Sequence, residues 1–211
     1  NKNLRKIFAP VISKLYSENK ISELNILYKK TTFIVNLITI PFAILIIFFA
    51  DEILSFFSES GDLNIYKPYL IVIMIARIIS LLTGNSGTFM VMAGLEKKEL
   101  FIQTIKAILI IILASIFVKE YELIAIVSLF IIFMLYVNVM QLYYIKREIN
   151  ITPFSSDLLL LFVISIPMLY YSIFQDHIFQ WFHYILIPLV SYIIYIVVFY
   201  KRLVKIMSEL K

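Results

Sequence analysis

The chain has 211 residues, of which 62% are apolar and 16% charged, and its mean hydropathy is +0.94. A soluble domain has roughly 45–50% apolar and about 25% charged residues, so this composition indicates an integral membrane protein. The chain has no cysteine and two histidines, and we expect no catalytic residues, no metal and no cofactor. The net charge of +5 does not indicate a nucleic-acid partner, because the basic residues lie in clusters between apolar runs.

Six apolar stretches have about the length that a bilayer-spanning helix needs. Such a helix requires about 20 apolar residues to cross a hydrocarbon core of about 30 Å. The stretches do not alternate as membrane-barrel strands would, so they predict helices. The connections are short, and we expect an all-α membrane bundle with antiparallel neighbours. The predicted spans are Thr31–Ala50, Tyr69–Ala93, Leu100–Val118, Leu123–Tyr144, Asp157–Phe174 and Tyr184–Tyr200.

The distribution of lysine and arginine predicts the orientation of these spans. Short basic loops stay on the cytoplasmic side of a membrane. One set of connections and both chain ends are basic, whereas the other set contains only Lys67 and Lys119. Six crossings return the chain to its starting side, so we expect a multi-pass protein with both ends of this chain in the cytoplasm.

The first thirty residues differ from the rest because apolar residues alternate with lysines at helical spacing. Leu4, Phe8, Val11 and Leu15 are typical of an amphipathic helix that lies near the membrane interface. The sequence begins with Asn1, and we expect the chain to be the carboxyl-terminal portion of a longer protein. The predicted organisation is a cytoplasmic connector, a four-helix part of a transmembrane lobe, and two terminal helices with a basic tail. Their ranges are 1–30, 31–144 and 145–211.

Arg77 is the most informative position, since a charged side chain at membrane depth is costly and normally faces a bundle interior or water. It lies about 6 Å from the midpoint of the predicted span Tyr69–Ala93. Steps of three or four residues along this predicted helix place Arg77 at the head of a stripe of polar and small residues on one face. The stripe either borders a cavity or lets another helix approach closely. Its members are Arg77, Ser80, Gly84, Gly87 and Thr88.

Other polar residues inside the spans leave two interpretations open. Lys106 shares a helix face with Gln103, and its ammonium either reaches the cytoplasmic surface or faces a cavity. Asn36 in the first span and Asn138 in the fourth either bond neighbouring helices or line a substrate path.

Several motifs, taken in order, resemble the polysaccharide flippase branch of the multidrug/oligosaccharidyl-lipid/polysaccharide exporters. These are Pro10 and Ser13 with Leu15 and Tyr16, Pro41 inside the next span, "ADEIL" at its outer end, and "MVMAGLEKKELFIQT" before the third span. They cover roughly the first half of the chain. The chain departs from the family pattern in one outer turn, where "KEYELIA" replaces the usual glycine-rich sequence.

The resemblance implies half of a two-lobed transporter in the bacterial inner membrane. Its substrate would be an undecaprenyl-pyrophosphate-linked oligosaccharide, moved to the outer leaflet for O-antigen or capsule synthesis. The implied partners are this glycolipid, membrane lipids and the amino-terminal lobe, and no nucleic acid. Basic side chains would hold the pyrophosphate, and polar ones would bond the sugar hydroxyls. The candidate substrate-binding residues are Arg77, Lys106, Ser80, Thr88, Asn36, Gln103 and Asn138.

Three alternatives stay open at this stage. A drug or cation antiporter of the same fold would favour acidic or aromatic cavity residues, whereas the deep ionisable residues predicted here are basic. A membrane polysaccharide polymerase or ligase would present a sizeable outer loop with arginine and histidine, and the longest outer loop here is short and acidic. A purely structural subunit would point Arg77 at lipid or a subunit seam.

Overall fold

The computed structural model describes residues 2–57, 62–174, 193, 195–200 and 204 of the chain. All regular structure within these residues is helical, which confirms the predicted all-α class. The elements are α1 Lys2–Ser17, α2 Ile21–Phe48, α3 Ala50–Phe56, a 3-10 helix Asp62–Tyr66, α4 Lys67–Leu81, α5 Ser86–Met92, α6 Glu96–Ile149 and α7 Ser156–Phe174.

The 54-residue α6 is a hairpin of two helical arms. Its backbone leaves the helical region at Glu122, where φ is 42° and ψ is −118°. Residues 96–121 form the first arm and residues 123–149 the second. Gln141 of the second arm donates to Glu99 of the first at 2.9 Å, so the chain must turn back at Glu122. The arms correspond to the predicted third and fourth spans.

The predicted second span, Tyr69–Ala93, is not one helix. It breaks between α4 and α5, where Gly84 adopts φ +65° and its N–H bonds the Leu81 carbonyl at 2.9 Å. A left-handed glycine commonly ends a helix, and two glycines with Asn85 and Ser86 lower helix propensity further. The predicted continuous stripe is therefore wrong: Arg77 and Ser80 lie on α4, whereas the glycines and Thr88 belong to the break and to α5.

The described chain divides into two compact units. The first unit comprises the residues up to Thr32 and Ile79–Phe154, and the second comprises Phe33–Ile78 and the residues from Ser155 onward. Helices α2 and α4 therefore contribute to both. This division concerns packing, and the predicted ranges 1–30, 31–144 and 145–211 stay a prediction about topology.

The core of the first unit packs α5 between α1, the start of α2 and the arms of α6. Tyr28 and Phe89 are buried with ring centroids 4.4 Å apart. On α1, Ile12 is buried in the same core, and the Ser13 hydroxyl donates to the Met92 carbonyl at 3.1 Å. The amphipathic pattern of α1 therefore buries its apolar side against the end of α5.

The core of the second unit is formed by the rest of α2 with α7 and residues 195–199. Phe33 packs against Phe199 with ring centroids 5.6 Å apart, and the Tyr195 hydroxyl donates to the Leu37 carbonyl at 3.1 Å. At the far end of α2, the Lys67 ammonium pairs with Asp51 at 2.6 Å. This ion pair joins α3 to the start of α4.

Four helical stretches in the described residues are long and apolar enough to cross a membrane: Ile21–Phe48, Leu63–Met92, Glu96–Ile149 and Ser156–Ile173. The third contains both arms of the hairpin, so these stretches account for the first five predicted spans. Most of the sixth, Tyr184–Tyr200, lies outside the described residues.

Candidate functional site

A polar pocket of about 340 Å³ lies in the first unit, at the end of the α6 hairpin away from the turn at Glu122. It is bounded by the break before α5, by α5 itself, by the first two turns of α6 and by the second arm. Its lining residues are Gly84, Asn85, Ser86, Gly87, Thr88, Val91, Met92, Glu99, Gln103, Asn138 and Gln141.

Two glutamine side chains, one from each arm of α6, donate hydrogen bonds to the Glu99 carboxylate. The Gln141 amide donates to both carboxylate oxygens at 2.9 Å, and the Gln103 amide donates to one of them at 2.8 Å. Gln141 is only 5% exposed, and its own carbonyl oxygen accepts from the Ser86 hydroxyl at 2.9 Å. These bonds hold the carboxylate in one orientation, since Gln141 is itself held by Ser86.

A second group of polar side chains ties the second arm to the break before α5. The Asn138 amide donates to the Ser80 hydroxyl at 2.7 Å, and its oxygen lies 3.3 Å from the Thr83 hydroxyl. The Tyr28 hydroxyl donates to the Thr83 carbonyl at 2.8 Å. Where a helix breaks inside a membrane span, freed backbone groups must find such partners. The break is therefore stabilised on one side by tyrosine and borders the pocket on the other.

Gly87 gives the pocket its open wall. A Cβ atom at this position would lie 2.8 Å from the Gln141 amide nitrogen and 3.0 Å from a Glu99 carboxylate oxygen. Any side chain at this position would push against the hydrogen-bonded pair. The absence of a side chain thus lets α5 approach both arms of α6, where Gln141 is buried and Glu99 and Gln103 are partly exposed.

The chemistry of the pocket is that of amides, hydroxyls and one carboxylate. No lysine or arginine is among the described residues that line it. The amides and hydroxyls of the lining can both donate to and accept from the hydroxyl groups of a ligand, and the carboxylate can accept from them. The volume is at the small end of the roughly 300–1,000 Å³ range of ligand pockets, so it suits one small polar ring.

Three of the predicted site residues line this pocket: Thr88 on α5, Gln103 on the first arm and Asn138 on the second. The Thr88 hydroxyl donates to the Asn85 side chain at 2.9 Å. Ser80 lies immediately behind the lining, because its hydroxyl accepts from Asn138. The structure thus brings four predicted residues together from three separate stretches of sequence.

The other three predicted residues do not line the pocket. Arg77 is exposed on α4, in the second unit. Asn36 is completely buried in α2 and also belongs to the second unit. Lys106 is half-buried on the first arm, about one turn beyond Gln103. Their roles in substrate binding stay predictions.

Sequence reasoning missed Glu99, the only ionisable group among the lining residues that the structure describes. Glu99 follows Lys97 and Lys98 and directly precedes the predicted third span Leu100–Val118, so it is not among the polar residues inside the predicted spans. The missed signal was its spacing: Glu99, Gln103 and Lys106 follow at i, i+4 and i+7, so they share one helix face.

The MatE family model matches residues 8–116, just over half of the chain, and this range includes α5 and the first pocket turns of α6. No curated protein and no solved structure matches the chain. The matched range also contains the proline and "MAGLEKKEL" motifs on which the resemblance rested, so the expected exporter superfamily is confirmed. Its candidate spans make it a multi-pass membrane protein, and the chain belongs to the MatE family of membrane exporters.

Proposed function

We propose that this exporter is a flippase that moves a lipid-linked oligosaccharide across the bacterial inner membrane for surface polysaccharide synthesis. The observation that supports this substrate is the pocket of the first unit, whose amides and hydroxyls match the hydroxyl groups of a sugar. A string of hydroxyls cannot cross hydrocarbon unaided, because each unpaired polar group costs several kcal/mol. The pocket would replace the lost water while the lipid tail stays in the bilayer.

The position of the pocket along the hairpin fits loading from the cytoplasm. Glu99 lies about 4.5 Å and Gln103 about 10 Å from the start of α6, and this start follows the basic loop with Lys97. The positive-inside rule assigns that loop to the cytoplasmic side. In this proposal the sugar enters the pocket from the leaflet in which the glycolipid is assembled.

Arg77 is proposed to bind the pyrophosphate that links the sugar to the lipid, separately from the sugar pocket. Its guanidinium has the planar donors that suit phosphate oxygens, and it is exposed on α4. Lys106, one turn beyond the pocket on the first arm, is a second candidate for the same negative charge.

The experiment is a surface-polysaccharide assay in cells that depend on the full-length protein. Asn138→Ala and Gln141→Ala remove an amide from the pocket, and we expect each to reduce export at least about tenfold, because two or more hydrogen bonds are lost. Asn64→Ala removes an amide from the exposed 3-10 helix and is the matched control. Normal export by both pocket variants, at normal protein levels, would contradict the proposal.

The same assay examines Arg77. Arg77→Ala is expected to abolish export, and Arg77→Lys to restore part of it, because lysine keeps the charge but loses the planar donors. If both variants export normally, Arg77 has no role in binding the head group.

A second candidate is a drug or cation exporter, and Glu99 specifically favours it. A carboxylate in a pocket without lysine or arginine would attract an organic cation. This alternative predicts that Glu99→Gln lowers resistance to cationic drugs and leaves surface polysaccharide unchanged. The flippase proposal predicts that pocket variants change the polysaccharide.

A further inference from the structure

We infer that the pocket around Glu99 selects sugars by charge, admitting a neutral or amino sugar and excluding an acidic one. The inference rests on the proposed function, because it assumes that the ligand of this pocket is a sugar. It adds a substrate class that the family does not specify, and it makes Glu99 the residue that discriminates.

The Glu99 carboxylate has no counter-charge among the described residues that line the pocket. Gln141 and Gln103 donate N–H groups to the carboxylate but are neutral. Within the part of the chain that the structure describes, no lysine or arginine lines the pocket. The preceding residue, Lys98, has its ammonium paired with Glu148 and placed over the Tyr144 ring, 5.3 Å from its centroid. Lys98 is therefore already engaged at the end of the hairpin, and Lys106, about one turn beyond Gln103 on the same arm, lies outside the lining.

Hydrogen bonds keep the Glu99 carboxylate from moving away from a ligand. Gln141 is only 5% exposed and is hydrogen-bonded to Ser86 as well as to Glu99. Gly87 provides no side chain that could shield the pair from the pocket. A ligand that occupies the pocket therefore meets a fixed negative charge among fixed hydrogen-bond donors and acceptors.

The charge on a sugar decides how well it binds beside a fixed carboxylate. A neutral sugar hydroxyl can donate to the carboxylate and accept from an amide. A protonated amine on the sugar gains a charge-assisted hydrogen bond to Glu99. A uronic acid brings a second carboxylate into a small pocket that has no cation, and like charges placed together in this way are a common means of rejecting a ligand.

The test uses three sugars of almost the same size: glucose, and glucosamine and glucuronate, each of which differs from glucose in one group. Their binding to the purified full-length protein in detergent is measured by saturation-transfer NMR, at a pH where the amine is protonated. We expect glucosamine to bind at least as well as glucose, and glucuronate to bind at least about tenfold more weakly than glucose.

Two variants show whether Glu99 is responsible. Glu99→Gln keeps the shape and removes the charge, so glucuronate should approach the affinity of glucose. Glu96→Gln removes a carboxylate from an exposed position of the same helix, outside the pocket lining, and should preserve the wild-type order. The wild-type comparison tests the inference even if Glu99→Gln does not fold.

The outcomes separate the two proposals. If the wild-type protein binds glucuronate as tightly as glucose, the charge selection is wrong and the sugar pocket stands. If none of the three sugars binds, the pocket is not a sugar site, and the proposed function loses its support together with the inference. If the order changes in Glu96→Gln as much as in Glu99→Gln, overall charge and not Glu99 sets the preference.

Discussion

Glycines at two positions determine where the pocket forms. Gly84 adopts a left-handed conformation, and a Cβ atom there would collide with the Thr32 hydroxyl. Gly87 is helical but lies against Gln141 and Glu99. The first glycine thus ends a helix inside a predicted membrane span, and the second lets the following helix approach the α6 hairpin. Both contributions come from the absence of a side chain.

Gly84→Ala is expected to destabilise the protein more than Gly94→Ala. Both glycines have positive φ, which costs a residue with a Cβ about 1–2 kcal/mol. At Gly94 the nearest atom to an added Cβ, on Tyr16, is 3.8 Å away, so the conformational cost acts alone. At Gly84 the contact with Thr32 adds to it. The measurement is the thermal unfolding midpoint of the full-length protein in detergent.

A double variant makes this comparison specific. Thr32→Ala removes the hydroxyl that an alanine at position 84 would meet, so it should recover part of the loss caused by Gly84→Ala and none of that caused by Gly94→Ala. Equal midpoints for the two single variants would show that the close approach to Thr32 contributes nothing.

The residue types in this pocket were partly predictable from sequence. Polar residues in an apolar run stand out, which is why Thr88, Gln103 and Asn138 were found. Glu99 was missed because it directly follows two lysines outside the predicted third span, and only the hairpin brings Gln141, 42 residues away, to its carboxylate. Arg77 also stood out as a charge in an apolar run, but its helix ends before the pocket begins.

At the scale of elements, the turn of the α6 hairpin departs from the residue type that its geometry favours. Glu122 adopts φ 42° and ψ −118°, close to the first central position of a type II′ turn. Glycine is preferred there, because a side chain at positive φ meets the neighbouring carbonyl. The "KEYELIA" sequence therefore holds a glutamate in a strained conformation at the point where the chain reverses.

Glu122→Gly is expected to raise the free energy of unfolding by about 1 kcal/mol, because it removes this strain. Glu120→Gly is the matched control, since Glu120 is exposed and helical two residues earlier. There the same substitution should lower stability by up to about 1 kcal/mol. Both are measured by thermal unfolding of the full-length protein. Destabilisation of similar size by both variants would mean that Glu122 is not strained.

Helix breaks were harder to predict than helices. Length and hydropathy predict that Tyr69–Ala93 crosses the membrane, and the stretch Leu63–Met92 is indeed long and apolar enough to do so. Length and mean hydropathy do not show that Gly84 divides this stretch into two helices, because a left-handed glycine changes the backbone without changing the mean hydropathy. The hairpin was predicted as two spans, since charged residues interrupt the apolar run near Glu122.

At the scale of the whole molecule, each compact unit has its own apolar core, and the pocket belongs to the first unit alone. Composition predicted a membrane protein, and the length and lack of alternation of the apolar runs predicted that its spans are helices. Composition did not predict the division into units, since helices α2 and α4 contribute to both. Packing between segments that are distant in sequence determines this division, and the spacing of apolar residues along one segment does not predict it.

The central claim is that a sugar attached to lipid occupies the pocket between α5 and the two arms of α6. A lipid-linked saccharide with a photoreactive group on its sugar, applied to the full-length protein in membranes, tests it most directly. We predict that cross-links map by mass spectrometry to residues 84–92, 99–103 and 138–141, and that unlabelled glycolipid suppresses them. Suppressible cross-links found only outside these three segments would contradict the account.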